Sequence, residues 1–235
     1  MKKTNKLSNL LNTKTFNIAA SFTDDIDPEH IEEAFDKCLD IAELRIDLFE
    51  DDSPDNIADV ATLFVEKPTI ATIRSTKEGG EWSGRADERL ELYKIAIENW
   101  VDAVDVELIS DEILDDLFVI TEENNVSLII SHHNFNETPD AEFLEDIILK
   151  AHTKGADIIK IATQINAEKD IEILEKLLAN NPDKNLVIIG MGELGVKTRI
   201  EFPKKGSKLT FCSFQQSTAR GQITLKEMVG FKVNI

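Results

Sequence analysis

The fold is decided by a short stretch in which charged and aliphatic residues alternate, Ala42-Glu43-Leu44-Arg45-Ile46-Asp47-Leu48. Side chains alternate across a β-strand, so the charged residues share one face and the aliphatic residues share the other. A strand of a parallel α/β protein is covered by helices on its outer side, where an aliphatic face belongs. The charged face is therefore expected to line the interior of a closed sheet, or the mouth of that sheet.

The same pattern recurs along the chain. Polar or ionisable side chains stand near the ends of five successive predicted strands, and segments of helical period lie between the strands. About eight strand–helix units fit into 235 residues, which is the usual size of an eight-fold (β/α) barrel. We predict one α/β domain over residues 1–235 with this TIM-barrel architecture, with residues 1–14 loosely held. A doubly wound open sheet competes with it, but the Gly-x-Gly-x-x-Gly turn of the dinucleotide-binding form is absent.

Composition limits the partners of the chain. The 26 Lys and Arg residues are outnumbered by 45 Asp and Glu residues, which gives a net charge of −19. Binding to nucleic acid or to an anionic membrane needs a basic face, so neither is an expected partner. No apolar run approaches the roughly 20 residues that cross a bilayer, and no signal peptide follows the basic start. Cys38 and Cys212 have no metal-ligand spacing. We expect a cytoplasmic protein.

Several cations nevertheless fall where the barrel mouth is expected. Arg45, Arg74, Lys160, Arg199 and Arg220 stand at strand ends or in the loops that follow them. Buried charges must pair with one another or meet an oppositely charged ligand, because isolated buried charges are costly. We expect a small anionic ligand, most simply a carboxylate, which Arg holds with two parallel hydrogen bonds. A phosphate is less favoured, because no Gly-rich cradle precedes a helix.

Lys160 lies inside the apolar run Ile158–Ala162. An isolated lysine in a strand is usually an edge residue, and a lone histidine is usually a satisfied core residue; the repeated polar strand ends favour an active site instead. Apolar flanks and nearby cations favour the free amine, which forms an imine with a carbonyl substrate. His133 is the candidate base, because imidazole exchanges protons near neutral pH. The neighbouring His132 is expected on the opposite face, with a structural role.

Short motifs follow one another from about residue 18 to the C-terminal region, in the order Glu43-Leu44-Arg45, Ile73-Arg74-Ser75, Glu78-Gly79-Gly80, Val104-Asp105-Val106-Glu107, Ser131-His132-His133, Asp157-Ile158-Ile159-Lys160-Ile161-Ala162, Met191-Gly192, Arg199, Leu209-Thr210-Phe211 and Gly221-Gln222. Each motif is weak, but the whole series resembles the type I 3-dehydroquinate dehydratases of the shikimate pathway. The resemblance implies a (β/α) barrel enzyme, commonly a homodimer, that uses no metal and no organic cofactor.

The resemblance also implies roles for individual residues. Lys160 would form the imine with the ring ketone of 3-dehydroquinate, and His133 would remove the neighbouring proton. Glu78 matches the position that assists this histidine, and Arg199 the group that holds the substrate carboxylate. The remaining substrate-binding positions are Glu43, Arg45 and Arg74 for the ring hydroxyls, and Phe211, Thr218 and Gln222 in the last strand and closing loop.

Two departures and two alternatives accompany this interpretation. The loop reads Thr218-Ala219-Arg220-Gly221-Gln222, where similar proteins usually carry Ser-Ala-Pro-Gly-Gln, so we expect a more flexible loop or an additional cation near the substrate. Cys212 stands where glycine is common. One alternative is another lysine-imine barrel enzyme, such as an aldolase. The other is a non-catalytic acidic barrel that binds partner proteins.

Overall fold

The computed structural model describes residues 17–27, 29, 31, 32, 34, 39–99, 101–214 and 222–232. Within these residues, eight parallel strands form one sheet: β1 (Asn17–Phe22), β2 (Ile41–Arg45), β3 (Thr69–Thr72), β4 (Ala103–Glu107), β5 (Ser127–Asn134), β6 (Ile158–Gln164), β7 (Leu186–Met191) and β8 (Leu209–Ser213). The helices with complete bounds are α1 (Pro54–Thr62), α2 (Ala86–Glu98), α3 (Asp111–Asn124), α4 (Ala141–Thr153), α5 (Glu168–Asn180), α6 (Thr198–Lys204) and α7 (Leu225–Lys232).

The strand order confirms the predicted barrel. The order is β7-β6-β5-β4-β3-β2-β1-β8, so each of β1 to β7 lies beside its sequence neighbours, and β8 returns to pair with β1. The two ends of the sheet also meet, because the Lys208 backbone N–H donates to the Leu186 carbonyl at 2.8 Å. This nearly closed eight-stranded arrangement, with helices between the strands, is the (β/α)8 TIM barrel and excludes the doubly wound open sheet.

The interior of the barrel changes from apolar to polar two residues further along each strand. Its apolar layer consists of Ala19, Ile41, Ile70, Ala103, Ile129, Ile158, Val187 and Leu209, all buried. Adding two to each number gives the next layer, Ser21, Glu43, Thr72, Asp105, Ser131, Lys160, Ile189 and Phe211. Because strand side chains have a period of two, both layers face the barrel axis. The polar layer lies toward the carboxyl ends of the strands, where barrel enzymes have their active sites.

Local sequence signals define several helix boundaries. Ser53 caps α1, with its hydroxyl accepting the Asn56 N–H at 3.4 Å, and Pro54 occupies the first turn. Asp140 caps α4 by accepting the Phe143 N–H at 2.9 Å.

None of the helices in the described part of the chain is long and apolar enough to cross a bilayer.

The second strand, predicted over residues 42–48 from the alternation of charged and aliphatic side chains, is shorter in the structure. β2 ends at Arg45, and residues 46–48 form a 3-10 turn. The turn brings Asp47 back to Arg45, whose Nε and Nη2 donate to its carboxylate at 2.9 and 2.7 Å. This two-bond ion pair gives a local reason for the early end of the strand, and Glu43 and Arg45 still share the inner face.

Candidate active site

Nine of the ten predicted site residues line one pocket at the carboxyl ends of the strands: Lys160, His133, Glu78, Glu43, Arg45, Arg74, Arg199, Phe211 and Gln222. The tenth, Thr218, lies outside the described residues, as does Arg220. The pocket holds about 550 Å³ and is open to solvent. Its wall also includes Ser21, Thr72, Ala162, Ile189 and Met191, which come from the inner faces of four strands, β1, β3, β6 and β7.

Lys160 projects from β6 into the polar layer, where carboxylates rather than cations are its nearest charged neighbours. Its Nζ lies 2.8 Å from Asp105 Oδ2 and 3.7 Å from Glu43 Oε1. The same atom lies 3.9 Å from the centroid of the Phe211 ring, a cation–π distance. The nearby cation expected from the sequence is Arg74, which lies across the shared Asp105 carboxylate, but the charged groups in direct contact with the amine are carboxylates. β4 and β2 place their inward carboxylates at the same level of the barrel.

Asp105 is the residue that our assignment of site roles missed. It accepts a hydrogen bond from Lys160 and one from the Ser131 hydroxyl, at 2.8 and 2.6 Å, and lies 2.7 Å from Arg74 Nη2. Burial alone would raise the pKa of Asp105, but Arg74 and Lys160 hold it well below its usual range. The alternation of β4 already indicated an inward side chain here. Its partners could be found only from the register of the neighbouring strands.

Arg74 follows β3 and joins this cluster to a second buried carboxylate. Its Nη1 lies 3.2 Å from Glu107 Oε1, and the other oxygen of Glu107 lies 2.5 Å from Arg89 Nη2. Burial alone would lower the pKa of Arg74, but Asp105 and Glu107 hold it above its usual value. The cluster is thus a buried network of alternating charges in which each cation contacts a carboxylate of the protein.

His133 stands near the end of β5 and is oriented by Glu78, which lies in a 3-10 turn after β3. Glu78 Oε2 accepts the His133 backbone N–H at 2.8 Å and lies 2.9 Å from the ring Nδ1. A carboxylate on Nδ1 fixes the proton there and leaves Nε2 as the nitrogen for proton transfer. Burial and the charge of Arg74 lower the pKa of His133 to about 4, against the opposing effect of Glu78.

Glu78 remains ionised despite its burial. Desolvation would raise its pKa, but the neighbouring imidazoles of His132 and His133 lower it to about 2. At neutral pH the pair therefore consists of a neutral imidazole and a carboxylate. Such a pair can accept a proton and hold it, because the carboxylate stabilises the imidazolium that forms.

Arg199 provides a buried cation of a different kind. It lies in α6, and its Nη1 donates to the Phe211 carbonyl at 2.9 Å, while its Nε has no hydrogen-bond partner. No carboxylate lies within ion-pair distance of its guanidinium in the residues that the structure describes. Burial lowers the pKa of Arg199 to about 10. An anion entering the pocket would supply the missing partner.

The donor set for a metal is a separate question. Among the described residues, no group of three or more His, Cys, Asp or Glu side chains is arranged to hold a metal ion. The thiol of Cys212 is buried and donates to the Ala19 carbonyl at 3.3 Å, and its burial raises its pKa to about 12. This pKa keeps it a protonated packing residue at neutral pH.

Comparisons with known proteins agree with this geometry. The family model of type I 3-dehydroquinase matches residues 21–231. A 3-dehydroquinate dehydratase of Thermodesulfovibrio yellowstonii is 39% identical over 201 residues, which are 84% of this chain and 86% of the relative. One of Methanocaldococcus jannaschii is 39% identical over 202 residues, covering 83% of this chain and 89% of the relative.

Solved structures give the same result. The crystal structure of a type I 3-dehydroquinate dehydratase from Clostridium difficile, with covalently modified comenic acid, superposes with a TM-score of 0.86 at 29% identity, covering 94% of this chain and 92% of that chain. The 3-dehydroquinate dehydratase of Geobacillus kaustophilus gives the same TM-score and identity, over 94% and 91% of the two chains. The chain therefore belongs to the type I 3-dehydroquinase family and is a carbon–oxygen lyase of the hydro-lyase class.

Proposed function

We propose that this enzyme dehydrates 3-dehydroquinate to 3-dehydroshikimate through an imine between the ring ketone of the substrate and Lys160. Membership of the family implies the dehydratase reaction, which belongs to the shikimate pathway of aromatic amino-acid biosynthesis. The observation that supports the imine is the shared pocket of Lys160 and His133. Lys160 is the only lysine among the described residues that line the pocket, and His133 provides a neutral base there.

The reaction proceeds in balanced steps. The neutral Lys160 amine adds to the ketone carbon; the carbinolamine takes up one proton, equal to the one that the ammonium gave up beforehand, and loses water to give a protonated imine. His133 Nε2 removes a proton from the carbon next to the imine; the C–H electron pair forms a C=C bond to the imine carbon, and the C=N π electrons move onto the nitrogen to give an enamine. The enamine electrons then form the new C=C bond as the β-hydroxyl leaves with the proton from His133, as water. Hydrolysis of the imine releases the product and the amine, so one water is lost overall.

The charge on Lys160 explains how the surrounding carboxylates assist this sequence. In the ligand-free site Lys160 pairs with Asp105 at 2.8 Å, and a protonated imine on the same nitrogen keeps a positive charge at that place. Asp105 therefore stabilises the electron sink as well as the resting ammonium. Attack on the ketone requires prior loss of one proton from the ammonium.

Positioning of the substrate follows from the remaining charges. Arg199, buried and without a carboxylate partner in the described residues, would bind the substrate carboxylate. Glu43, Arg45 and Arg74 would contact the ring hydroxyls. By the family resemblance, Phe211, Gln222 and Thr218 would cover the bound ring.

A trapping experiment tests the imine directly. Incubation with 3-dehydroquinate should raise the ultraviolet absorbance of a conjugated enone, and borohydride added with substrate should leave a stable secondary amine on Lys160, located by mass spectrometry. Lys160→Met should abolish both signals. Lys197→Met is the matched control, because Lys197 lies outside the pocket and is a partly exposed lysine that pairs with Glu168 at 2.7 Å. Absence of an absorbance rise at high protein concentration would reject the dehydratase, and a C–C cleavage product would indicate an aldolase.

The same assay distinguishes the role of His133 from that of Lys160, because turnover and trapping are measured separately. His133→Asn should slow turnover by roughly 10²–10⁴-fold, the usual contribution of a general base. The slow variant should still be trapped by borohydride, because the amine is intact. Loss of trapping with unchanged turnover would contradict the assignment.

We further propose one catalytic domain over residues 1–235 that acts as a homodimer in the cytoplasm. The family model spans 21–231, and members of this family are commonly dimeric. Light scattering measures the mass of the assembly: a value near twice 26.4 kDa supports the dimer, and a value near 26.4 kDa contradicts it.

A further inference from the structure

A second imidazole lies on the far side of the Glu78 carboxylate from His133. His132 precedes His133 in β5, and its ring turns toward the helical layer, where it packs 5.9 Å from the Phe143 ring of α4, measured between centroids. Its Nδ1 nevertheless lies 3.7 Å from Glu78 Oε1, while the His133 Nδ1 lies 2.9 Å from Oε2. One carboxylate therefore stands between two ring nitrogens.

His132 is a partly buried residue whose ring nitrogens are unusual. Both of its ring nitrogens are buried, and neither has a hydrogen-bond partner in the part of the chain that the structure describes. A buried polar group without a partner is costly, and such groups call for an explanation beyond packing. The expectation of a purely structural His132 explains the contact with Phe143 but leaves the approach to Glu78 without a reason.

We propose that His132 is a positioning residue that sets how strongly Glu78 supports the protonated form of His133. The His132 and His133 Nδ1 atoms approach the two oxygens of one carboxylate, at 3.7 and 2.9 Å. A ring N–H of His132 directed at Oε1 draws on the same negative charge that supports the His133 imidazolium, so the two rings compete for Glu78. This inference rests on the proposed role of His133 as the base.

The surrounding charges make Glu78 the centre of this coupling. Among the described residues, Glu78 is the one carboxylate that lies within 4 Å of a ring nitrogen of His132 or of His133. Arg74 and Lys160 are the cations that act on His133 from the pocket side, and both disfavour its imidazolium. On the other side, α4 presents the aromatic ring of Phe143 to His132. Glu78 is therefore the carboxylate that the two imidazoles share.

An NMR titration of the ligand-free protein tests the coupling without using catalysis. The chain has four histidines, so the imidazole resonances can be assigned by single substitutions. In His132→Leu the pKa of His133 should rise by roughly half a unit or more, because Glu78 then serves one imidazole. His132→Asn keeps an N–H donor that cannot become charged, and should give a smaller rise. An unchanged or lowered pKa in a folded His132→Leu protein would overturn the proposal.

Phe143→Leu is the matched control. It removes the ring that packs on His132 and leaves every charge in place, so it should lower the melting temperature without moving the titration of His133. If it moves the titration as far as His132→Leu does, packing rather than charge accounts for the effect, and the proposal fails.

Activity provides a second measurement and separates two kinds of failure. The acid limb of kcat/KM should move to higher pH in His132→Leu by the same amount as the NMR titration. If the protein neither converts 3-dehydroquinate nor forms a trapped imine, the proposed function fails while the NMR result still stands. If turnover and trapping are present but the His133 titration is identical in both proteins, only the role of His132 is refuted.

Discussion

The two sides of the barrel mouth differ in whether their buried cations pair with a carboxylate. On the β3–β6 side, Arg74 and Lys160 share the Asp105 carboxylate at 2.7 and 2.8 Å. On the β7–β8 side, the guanidinium of Arg199 contacts the Phe211 carbonyl, and no carboxylate in the described residues pairs with it. The first side is assembled before a substrate arrives. The second leaves a buried guanidinium without a carboxylate partner among the described residues, which supports the proposal that this end of the pocket receives the acid group of the substrate.

Breaking the paired side should have the largest effect on stability. Asp105→Leu leaves Arg74 and Lys160 buried without the carboxylate that they share, and removal of one partner from a buried ion pair typically costs about 3–5 kcal/mol. The free energy of unfolding, measured by urea denaturation, should fall by that amount, and Asp105→Asn should lose less. A loss below about 1 kcal/mol in Asp105→Leu would show that the buried ion pairs contribute no more to stability than exposed ones do, and would contradict the contrast between the two sides of the barrel mouth.

Acid should weaken the paired side next. His133 has a folded-state pKa of about 4 against an ordinary 6.5, so the unfolded chain takes up this proton first, and stability falls between pH 6.5 and 4. Glu78, with a pKa of about 2 against 4.5, contributes stability that is lost as the pH falls from 4.5 to 2. The His133 share amounts to about 3 kcal/mol, since one pKa unit corresponds to about 1.4 kcal/mol.

The measurement is urea denaturation at a series of pH values, with His133→Asn as the comparison protein. The variant should show a flatter dependence between pH 6.5 and 4, because its side chain at 133 does not titrate. Equal slopes for the two proteins in that window would contradict the shifted pKa of His133.

The open side should respond through binding rather than through folding. Arg199→Leu should raise KM for 3-dehydroquinate roughly 100-fold, because a charge-assisted two-bond contact is typically worth a few kcal/mol. Its free energy of unfolding should be unchanged or higher, since a buried cation without a carboxylate partner is removed. Arg199→Lys keeps the charge but loses the planar two-bond geometry of the guanidinium, so its KM should lie between the values of the wild type and of Arg199→Leu. A destabilised Arg199→Leu protein with normal KM would reverse the comparison.

An exposed ion pair on the same side should have the smallest effect. Lys197 stands two residues before Arg199 and pairs with Glu168 at 2.7 Å, with the lysine side chain partly exposed and the glutamate side chain largely in solvent. Lys197→Ala should change the free energy of unfolding by less than about 1 kcal/mol and leave KM unchanged. A larger change would mean that exposure does not distinguish the surface pairs from the buried network.

Alternation was enough to predict the architecture and most of the site. The period-two pattern of Glu43 and Arg45, repeated at the ends of later strands, indicated both the inner face and the active-site end of the barrel. It located Lys160 and His133 in one pocket, as observed. The positions at which individual strands end were predicted less accurately. β2 stops at Arg45 because the Asp47 carboxylate turns back onto that guanidinium.

Helix faces show the same limit. Thr138-Pro139 and the hydrophobic spacing after it predict a helix that opens at these residues and buries Phe143, Ile147, Ile148 and Ala151, but α4 starts at Ala141 after the Asp140 cap. Its buried side chains are Leu144, Ile147, Ile148 and Ala151, and Phe143 is 47% exposed. The rotation of a short helix is set by its docking on the barrel, which hydrophobic spacing alone does not specify.

The sequence by itself determined which side chains point inward and at what level of the barrel, because strand periodicity is a local property of the chain. Only the tertiary structure decided which of these groups meet. The register between β4 and β6 sets Asp105 against Lys160, and the turn after β3 brings Glu78 between His132 and His133. Electrostatic interactions act through space at distances of a few ångströms, and residues separated by fifty positions in the chain reach those distances only after the barrel closes.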